Sequence, residues 1–469
     1  MSAEAVGWTL RSAGGCEGVT GSAHLLACES GRVLVDAGAF QGPDEESANA
    51  APWPFDPRGI DAVVLTHGHL DHVGRLPALV AGGYRGPILA TAATFAVAEV
   101  VLRDAAKIRA EDADRRLRRL RRAGRAPSGG RVAEREVDVE RVLRHARPVS
   151  FHRSVTVGRG VEVELGRAGH VLGAAWVSLT ARAGRVVASG DLGDDDGPLH
   201  PPPEPPPTCD AVLVESTYGD RRHRDAAATR AEFAAVVGRT LARGGNVLVP
   251  TFALERTQAV LATLQDLMRT GGLPATRVVL DAPMGERMTD LYRRFPDTLR
   301  PEVAARLADG DDPFRPDGLE VALTSEASRG LNQARGVVII AGAGMMTGGR
   351  ILHHLKHQAW RERNAIVVVG FQAEGTLGRR IVDGARRVRV WGETVAIAAE
   401  VHTVNGFSAH ADAAGLDAWW RASGARVLVP VHGEPPARAS LAARARAAGV
   451  DAREARLGED LALAPTATL

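Results

Sequence analysis

Lysine, cysteine and aromatic residues are scarce in this chain of 469 residues. Lysine occurs only at Lys107 and Lys356, so arginine supplies nearly all the positive charge, which a compositional bias explains as well as a function does. Three cysteines without a closely spaced pair exclude a disulfide framework and fit a reducing compartment. The formal net charge is only +2, so any site for a polyanion has to be local.

Long apolar runs are also absent. No stretch approaches the roughly 18 apolar residues of a membrane-spanning helix, and the opening MSAEAVGWTLRSAGG lacks the charged and apolar regions of a secretory signal. We therefore expect a cytoplasmic protein with no membrane partner. The length predicts more than one domain, and a hydrophobic content of 45% is ordinary for a soluble protein.

Short apolar runs that end in small or acidic residues recur along the chain, for example RVLVDAG, DAVVLTHGH, RVVASGD and RVLVPVHGE. Each predicts a buried strand followed by a loop. Helical patterns such as ERTQAVLATLQDLMRTGG separate many of these runs, so the sequence predicts an α/β fold. In such folds ligands bind in the loops beyond the ends of the strands.

Two segments differ from this alternation. Residues 103–147 contain RRLRRLRRAGRAPSGGR, which predicts an arginine-rich helix that runs into a glycine and proline loop. We interpret this segment first as a solvated helical insertion and second as an arm that contacts a polyanion. Residues 198–207, PLHPPPEPPP, predict a stiff connector.

The strongest signal is the segment Thr66-His67-Gly68-His69-Leu70-Asp71-His72 directly after the strand DAVVL. Three imidazoles and one carboxylate at a strand end form a ligand set that suits zinc. Further candidate ligands stand after later strands, namely His170, Asp191 and His432. An aspartate at the middle one of these positions is able to bridge two ions.

These residues, with Asp36 in LVDAG before them, resemble the ligand pattern of the metallo-β-lactamase superfamily. The resemblance implies two Zn²⁺ ions, one held by His67, His69 and His170 and the other by Asp71, His72 and His432. It also implies that Asp191 bridges the two ions and that Asp36 orients the ligand loop by contact with a ligand.

Three further motifs resemble motifs A, B and C of the β-CASP nucleases, a branch of that superfamily. They are ESTYGDR from Glu215, GFSAHAD around His410, and HGE from His432. NVLVPTFALERTQ, GAGMMTGGR and GFQAEGTLGRR resemble the domain that this branch inserts. The resemblance implies a metallo-β-lactamase αββα sandwich over residues 1–219 and 399–469, with an inserted β-CASP α/β domain over residues 220–398.

The resemblance implies a ribonuclease that acts in RNA processing or decay, with endonuclease and 5′-to-3′ exonuclease modes both open. RNA-cutting members resemble this chain in having histidine at the position of His432, whereas DNA-repair members typically have valine. Single-stranded RNA is the expected partner, and a homodimer is suggested by resemblance alone. The alternatives are a DNA nuclease, a small-molecule metallohydrolase and a non-catalytic scaffold.

The resemblance also suggests catalytic roles. His410, held by Glu215, is the expected general acid for the leaving 3′-oxygen, and Asp71 is expected to accept or orient the proton of the attacking water.

The glycine-rich loop GAGMMTGGR follows an apolar strand, and we expect it to contact phosphate through Gly344, Thr347, Gly348, Gly349 and Arg350. Many relatives have serine at the position of Ala343, so this chain lacks a hydroxyl that is able to contact phosphate, a difference that leaves the metal site untouched. The next helix contains His353, His354 and His357, which we interpret first as surface residues and second as an edge that faces RNA.

Overall fold

The structure is a computed structural model, and it describes residues 7–42, 44–122, 135–404 and 406–464. Two compact units make up the chain. The first comprises the residues up to Asp195, together with Pro202–Arg222 and the residues from His410 onwards. The second comprises Asp196–Pro201 and His223–Ala409.

The strands, in chain order, are β1 (Thr9–Gly14), β2 (Ala23–Cys28), β3 (Gly31–Val35), β4 (Ala62–Val64), β5 (Ile88–Ala90), β6 (Ala146–Pro148), β7 (Val155–Val157), β8 (Val161–Arg167), β9 (Ala175–Ala181), β10 (Gly184–Ala188), β11 (Ala211–Glu215), β12 (Val247–Pro250), β13 (Arg277–Asp281), β14 (Leu319–Val321), β15 (Val337–Ala341), β16 (Ala365–Val368), β17 (Arg387–Val390), β18 (Glu393–Ala396), β19 (Glu400–Thr403), β20 (Val427–Val431), β21 (Asp451–Ala452) and β22 (Asp460–Ala462).

The α-helices are α1 (Glu45–Ala50), α2 (Leu70–Val73), α3 (Leu76–Ala81), α4 (Ala92–Arg122), α5 (Glu136–Leu143), α6 (Ala226–Ala242), α7 (Arg256–Arg269), α8 (Pro283–Arg294), α9 (Pro301–Ala308), α10 (Ser325–Gly330), α11 (Gly349–Gln358), α12 (Leu377–Val382), α13 (Ala413–Ala422) and α14 (Pro435–Ala447). None of the described helices combines the length and the apolar character needed to cross a membrane.

The first unit contains two seven-stranded sheets that share one core. The strand order is β22-β1-β2-β3-β4-β5-β6 in one sheet and β21-β20-β11-β10-β9-β8-β7 in the other. Their inner faces meet in a single apolar cluster, in which Leu26 and Val64 of the first sheet join Leu179, Leu213 and Val429 of the second. Helix α4 contacts the first sheet, and α13 and α14 contact the second. This is the αββα sandwich that the sequence predicted, and the prediction is confirmed.

Each sheet of the first unit is parallel over one part and antiparallel over the other. Strands β3 to β6 are parallel, as are β10, β11, β20 and β21. Strands β4, β11 and β20 are buried at every position, which explains their unbroken runs of apolar residues. The carboxyl ends of β4 and β20 lead into loops that contain candidate metal ligands, and β11 ends at Glu215.

The second unit is built on a six-stranded parallel sheet in the order β14-β13-β15-β12-β16-β19. Strand β15 is buried throughout, and α11 packs on this sheet through Ile351 and Leu355. A separate hairpin joins β17 to β18. The predicted α/β character of the inserted domain is therefore confirmed.

The arginine-rich segment forms the end of α4, which reaches Arg122. Val101 and Ala106 in its first half are buried, whereas the arginines near its end are exposed. Arg115 pairs with Asp112, and Arg116 pairs with Glu46. The predicted glycine and proline loop falls on residues 123–134 and lies outside the described residues. Residues 198–207 form neither helix nor strand.

Gly166 in β8 tests the packing of the first unit. It pairs with Trp176 of β9, and a Cβ atom at this position would lie 1.9 Å from the indole ring. We expect Gly166→Ala to lower the free energy of unfolding by about 1–3 kcal/mol, because the buried ring has to move. Chemical denaturation measures this difference. Gly18→Ala is the control, because no atom lies within 4 Å of the added Cβ, and an equal loss in both variants would contradict the packing argument.

Candidate metal centre

The candidate ligands of the first unit all lie just beyond strand ends. Residues 66–72 follow β4, and Asp191 follows β10. His432 comes directly after β20, and His170 follows β8. The sandwich therefore brings together histidines and carboxylates that are distant in sequence, at the position where α/β folds place their ligand sites.

The predicted metal ligands form two groups, within each of which the candidate ligand atoms lie within 4.8 Å of one another, and Asp191, Glu215 and His410 form a third group of this kind. Asp191 faces both groups of predicted ligands. Its Oδ2 lies 3.5 Å from the Nε2 atoms of His67 and His170, and its Oδ1 lies 3.5 Å from His72 Nε2. The first group consists of His67, His69, His170 and Asp191, and the second of Asp71, His72 and His432. The structure thus brings together all seven predicted metal ligands.

Asp36 holds the ligand loop, residues 66–72, through contacts with Thr66 and His72. Its Oδ1 accepts a hydrogen bond from the backbone N–H of Thr66 at 2.8 Å, and its Oδ2 accepts one from the Thr66 hydroxyl at 2.8 Å. The same Oδ2 lies 2.7 Å from His72 Nδ1, so the proton of His72 is on Nδ1 and Nε2 faces the other ligands. Asp36 itself has a positive φ of 62°.

Close backbone packing joins the loop after β3 to the ligand loop. Ala37 and Ala39 donate hydrogen bonds to the carbonyl oxygens of His72 and Leu70 at 2.8 and 3.0 Å. Between them lies Gly38, where a Cβ would be 1.6 Å from the carbonyl oxygen of Asp71. Only glycine permits this approach, so the sequence LVDAG positions the ligands through its backbone as well as through Asp36.

The electrostatics of the cluster favour a bound cation. Burial alone would lower the pKa of His72, but the carboxylates of Asp191, Asp36 and Asp71 outweigh burial and raise it to about 10. Burial raises the pKa of Asp191, whose Oδ1 accepts no hydrogen bond from the described residues. Imidazoles and carboxylates around such a buried oxygen fit a divalent metal.

Glu215 and His410 lie beside the first group. Glu215 is fully buried, and its Oε1 accepts a hydrogen bond from the backbone N–H of Leu192 at 2.8 Å and lies 3.0 Å from His410 Nδ1. Burial would raise the pKa of Glu215, but His410 lowers it, so the carboxylate is ionised. His410 is 18% exposed, and its Nδ1 is 4.0 Å from Asp191 Oδ2. A fixed carboxylate and a partly exposed imidazole form an acid with its orienting partner.

Some contacts at the centre were not predicted from the sequence. The Thr217 hydroxyl lies 3.2 Å from His432 Nδ1, and the Thr217 backbone N–H donates to Glu215 Oε2 at 3.2 Å. The Ser189 hydroxyl accepts a hydrogen bond from the backbone N–H of Glu215 at 2.9 Å. Thr66 lies directly before His67, and Thr217 lies two residues after Glu215. This proximity to predicted residues was the only signal in the sequence for their contacts.

The glycine-rich loop belongs to the second unit. Gly344 rests against the ring of Phe252, since a Cβ there would lie 2.6 Å from that ring. Gly349 has a positive φ of 71° and begins α11, and Thr347 is exposed. Gly348 is the residue directly before the helix. The phosphate-binding role of the loop stays a prediction.

Arg350 has an extensive set of protein partners. Its guanidinium forms an ion pair with Asp281 and donates to the carbonyl oxygens of Ala322, Leu323 and Thr324. His354 Nε2 lies 2.7 Å from the same Asp281 carboxylate, and His354 is fully buried. The interpretation of His354 as a surface residue is therefore wrong, because a buried acidic partner holds its ring inside the second unit.

Comparison with protein families finds three matches along the chain. Residues 17–84 match the metallo-beta-lactamase superfamily, and residues 257–381 match the Beta-Casp domain. Residues 394–453 match the Zn-dependent metallo-hydrolase RNA specificity domain, a range that includes His410 and His432.

Two relatives show how far the similarity extends. The chain is 44% identical over 449 residues to Ribonuclease TTHA0252 of Thermus thermophilus, covering 95% of this chain and 98% of that protein. It is 31% identical over 416 residues to Transcription termination factor FttA of Methanosarcina mazei, covering 85% of this chain and 62% of that factor. A crystal structure of a protein of unknown function from Enterococcus faecalis shares the fold, with a TM-score of 0.54 at 15% identity, covering 97% of this chain and 99% of that one.

Asp191 provides the test of the metal centre. We expect Asp191→Ala to purify with less bound metal than the unmodified protein, because both ligand groups lose a shared carboxylate. Metal analysis after dialysis against a weak chelator measures the loss. The control is Asp195→Ala, which removes an exposed carboxylate four residues further on. Full metal content in the Asp191 variant would refute its role between the two groups.

Proposed function

The chain belongs to the β-CASP branch of the metallo-β-lactamase superfamily, and from this premise we propose that it is a zinc-dependent ribonuclease. It hydrolyses RNA phosphodiester bonds. The observation that carries the proposal is the Glu215–His410 pair placed against Asp191 of the metal cluster. A hydrolase that acts on RNA agrees with the name of its full-length relative from Thermus thermophilus and with the matched RNA specificity domain.

Two zinc ions are the proposed cofactors. His67, His69 and His170 would hold one ion, and Asp71, His72 and His432 the other, with Asp191 shared between them. The nitrogen-rich donor set supports zinc over magnesium or calcium, which prefer oxygen ligands. When bound, the ions would neutralise phosphate oxygens and activate water for attack.

His410 is the proposed general acid. Because Glu215 is ionised and accepts at Oε1, it fixes a proton on His410 Nδ1, which leaves Nε2 to hand a proton to the leaving oxygen. Leu192 and Thr217 hold the Glu215 carboxylate through their backbone N–H groups, so the imidazole has one orientation. Proton transfer to the 3′-oxygen leaves a 3′-hydroxyl and a 5′-phosphate.

Asp71 is the proposed partner of the attacking water. Its side chain is 22% exposed, in contrast to the fully buried His67, and its Oδ2 lies 3.6 Å from His432 Nε2. The histidines around Asp71 hold its pKa well below the usual range, although burial opposes this effect. The carboxylate is therefore ionised and able to accept a hydrogen bond from water.

Single-stranded RNA is the proposed substrate form, because the scissile phosphate has to reach partly exposed groups at the edge of a sandwich. The cytoplasmic location and the homodimer remain proposals that rest on composition and on resemblance. A DNA nuclease is the second candidate, since the 3′-oxygen leaving group is the same in both polymers.

Loss of the acid should slow the reaction without loss of metal. We expect His410→Ala to keep its metal and to cleave RNA at least about 100-fold more slowly, because unassisted departure of an alkoxide is slow. Single-turnover cleavage and metal analysis on the same preparation measure both quantities. Glu215→Gln serves as the matched variant, and we expect it to be slowed as well because the imidazole loses its orienting charge. An unchanged rate in His410→Ala would assign the proton to another group.

The choice of substrate is tested with single-stranded RNA and DNA of one sequence, each labelled at the 5′ end. We expect zinc-loaded protein to produce internal RNA fragments and Asp191→Ala to produce none. Release of the labelled 5′ nucleotide would instead identify a 5′ exonuclease mode. Equal or faster cleavage of DNA would replace the RNA assignment with that of a DNA nuclease.

A further inference from the structure

A small cavity of about 10 Å³ borders the metal centre in the first unit. The volume corresponds to one water molecule. Polar side chains of its lining include His24 of strand β2 and Asp36, His72, Asp191 and His432 of the metal centre. A polar cavity of this size holds a water when polar atoms face it.

His24 is a residue of this lining to which the proposed mechanism gives no role. It lies in β2, is 3% exposed, and its Nδ1 is 2.9 Å from the Ser12 hydroxyl oxygen. Ser12 is the direct cross-strand partner of His24 in β1, so the sheet fixes the pair. The other ring nitrogen, Nε2, has no hydrogen-bond partner among the described residues.

A second polar atom of the lining also lacks a hydrogen-bond partner among the described residues. Asp191 Oδ1 is buried and accepts no hydrogen bond from the part of the chain that the structure describes. Leaving a buried polar atom without a partner is unfavourable. A bound metal accounts in part for Asp191 Oδ1, but His24 belongs to neither ligand group, so its Nε2 points to a further ligand in the cavity.

The hydrogen-bonding groups of His24 and Asp191 suit a water molecule that bridges them. A neutral imidazole has one N–H donor and one acceptor nitrogen. In the tautomer with the proton on Nε2, the Ser12 hydroxyl donates to Nδ1, and Nε2–H is the donor without a partner among the described residues. Asp191 Oδ1 is an acceptor. A single water is able to accept from the first and donate to the second.

We propose that His24 is a positioning residue for the metal centre, acting through one water molecule in this cavity on the Asp191 carboxylate. The inference rests on the proposed metal centre and adds a residue to it. The hydrogen bond from the water restrains the rotation of the carboxylate, so that each oxygen keeps facing its own ligand group. Outer partners of this kind change metal affinity by about 10- to 100-fold.

The test is zinc affinity, measured by competition with a chelator at fixed pH. We expect His24→Leu to bind zinc about 10- to 100-fold more weakly. His24→Gln should retain affinity close to that of the unmodified protein, because its amide NH₂ takes the place of Nε2–H. Ser12→Ala should show a loss as well, because the donor that fixes the tautomer is gone. Leu26→Ala, a buried change in the same strand, reports the effect of lost packing alone.

Each possible result of these measurements either supports or overturns the inference. Weaker binding in His24→Leu with rescue in His24→Gln supports the inference, and Ser12→Ala decides the matter if the leucine variant does not fold. Unchanged affinity in the leucine and alanine variants would overturn it, as would equal losses in His24→Leu and His24→Gln or in Leu26→Ala. If the unmodified protein binds no zinc, the proposed function fails before this inference is reached.

Discussion

Burial of acidic side chains among histidines is the constraint on which the first unit depends. Asp36, Asp191 and Glu215 are all nearly inaccessible, and burying a charge is costly unless it is compensated. Asp36 is held by Thr66 and His72, and Glu215 by backbone N–H groups and His410. Asp191 alone faces two groups of ligands. Loops after strands of both sheets supply those ligands, so a bound cation would couple metal binding to folding of the sandwich.

The sequence predicted the chemistry of this edge because ligands at strand ends leave a local signature. The segment from His67 to His72 contains enough candidate ligands to predict a metal site by itself. The later candidate ligands follow recognisable strands. The pairing of Ser12 with His24 leaves no such signature, because it depends on the register between β1 and β2. A shift of one residue would turn every side chain of a strand to the opposite face. Local patterns thus predict ligands, whereas the contacts that support them require the folded sheet.

In the second unit, by contrast, a local sequence pattern led to a wrong prediction. The run HHLKHQ has the spacing of an exposed helical face, yet His354 is buried against Asp281, far away in the sequence. Arg350 binds the same carboxylate and three carbonyl groups. Its guanidinium stabilises the end of β13 in this arrangement. Any contact of the glycine-rich loop with phosphate then depends on the loop backbone and on Thr347 more than on the arginine.

The pair of Glu215 and His410 also bears on the class of bond that the proposed site would cleave. A thiolate leaves without a proton, whereas the 3′-oxygen of a phosphodiester is a poor leaving group that needs one. His410, partly exposed and oriented by an ionised Glu215, suits the second case. The pair does not distinguish RNA from DNA, because both have the same leaving oxygen and differ in the 2′-hydroxyl. His432 is 5% exposed, with Nδ1 beside Thr217 and Nε2 facing His72, so both ring nitrogens are engaged within the metal centre. If a histidine at this position favours RNA, as the resemblance implies, its effect would act through the geometry of the metal ligands.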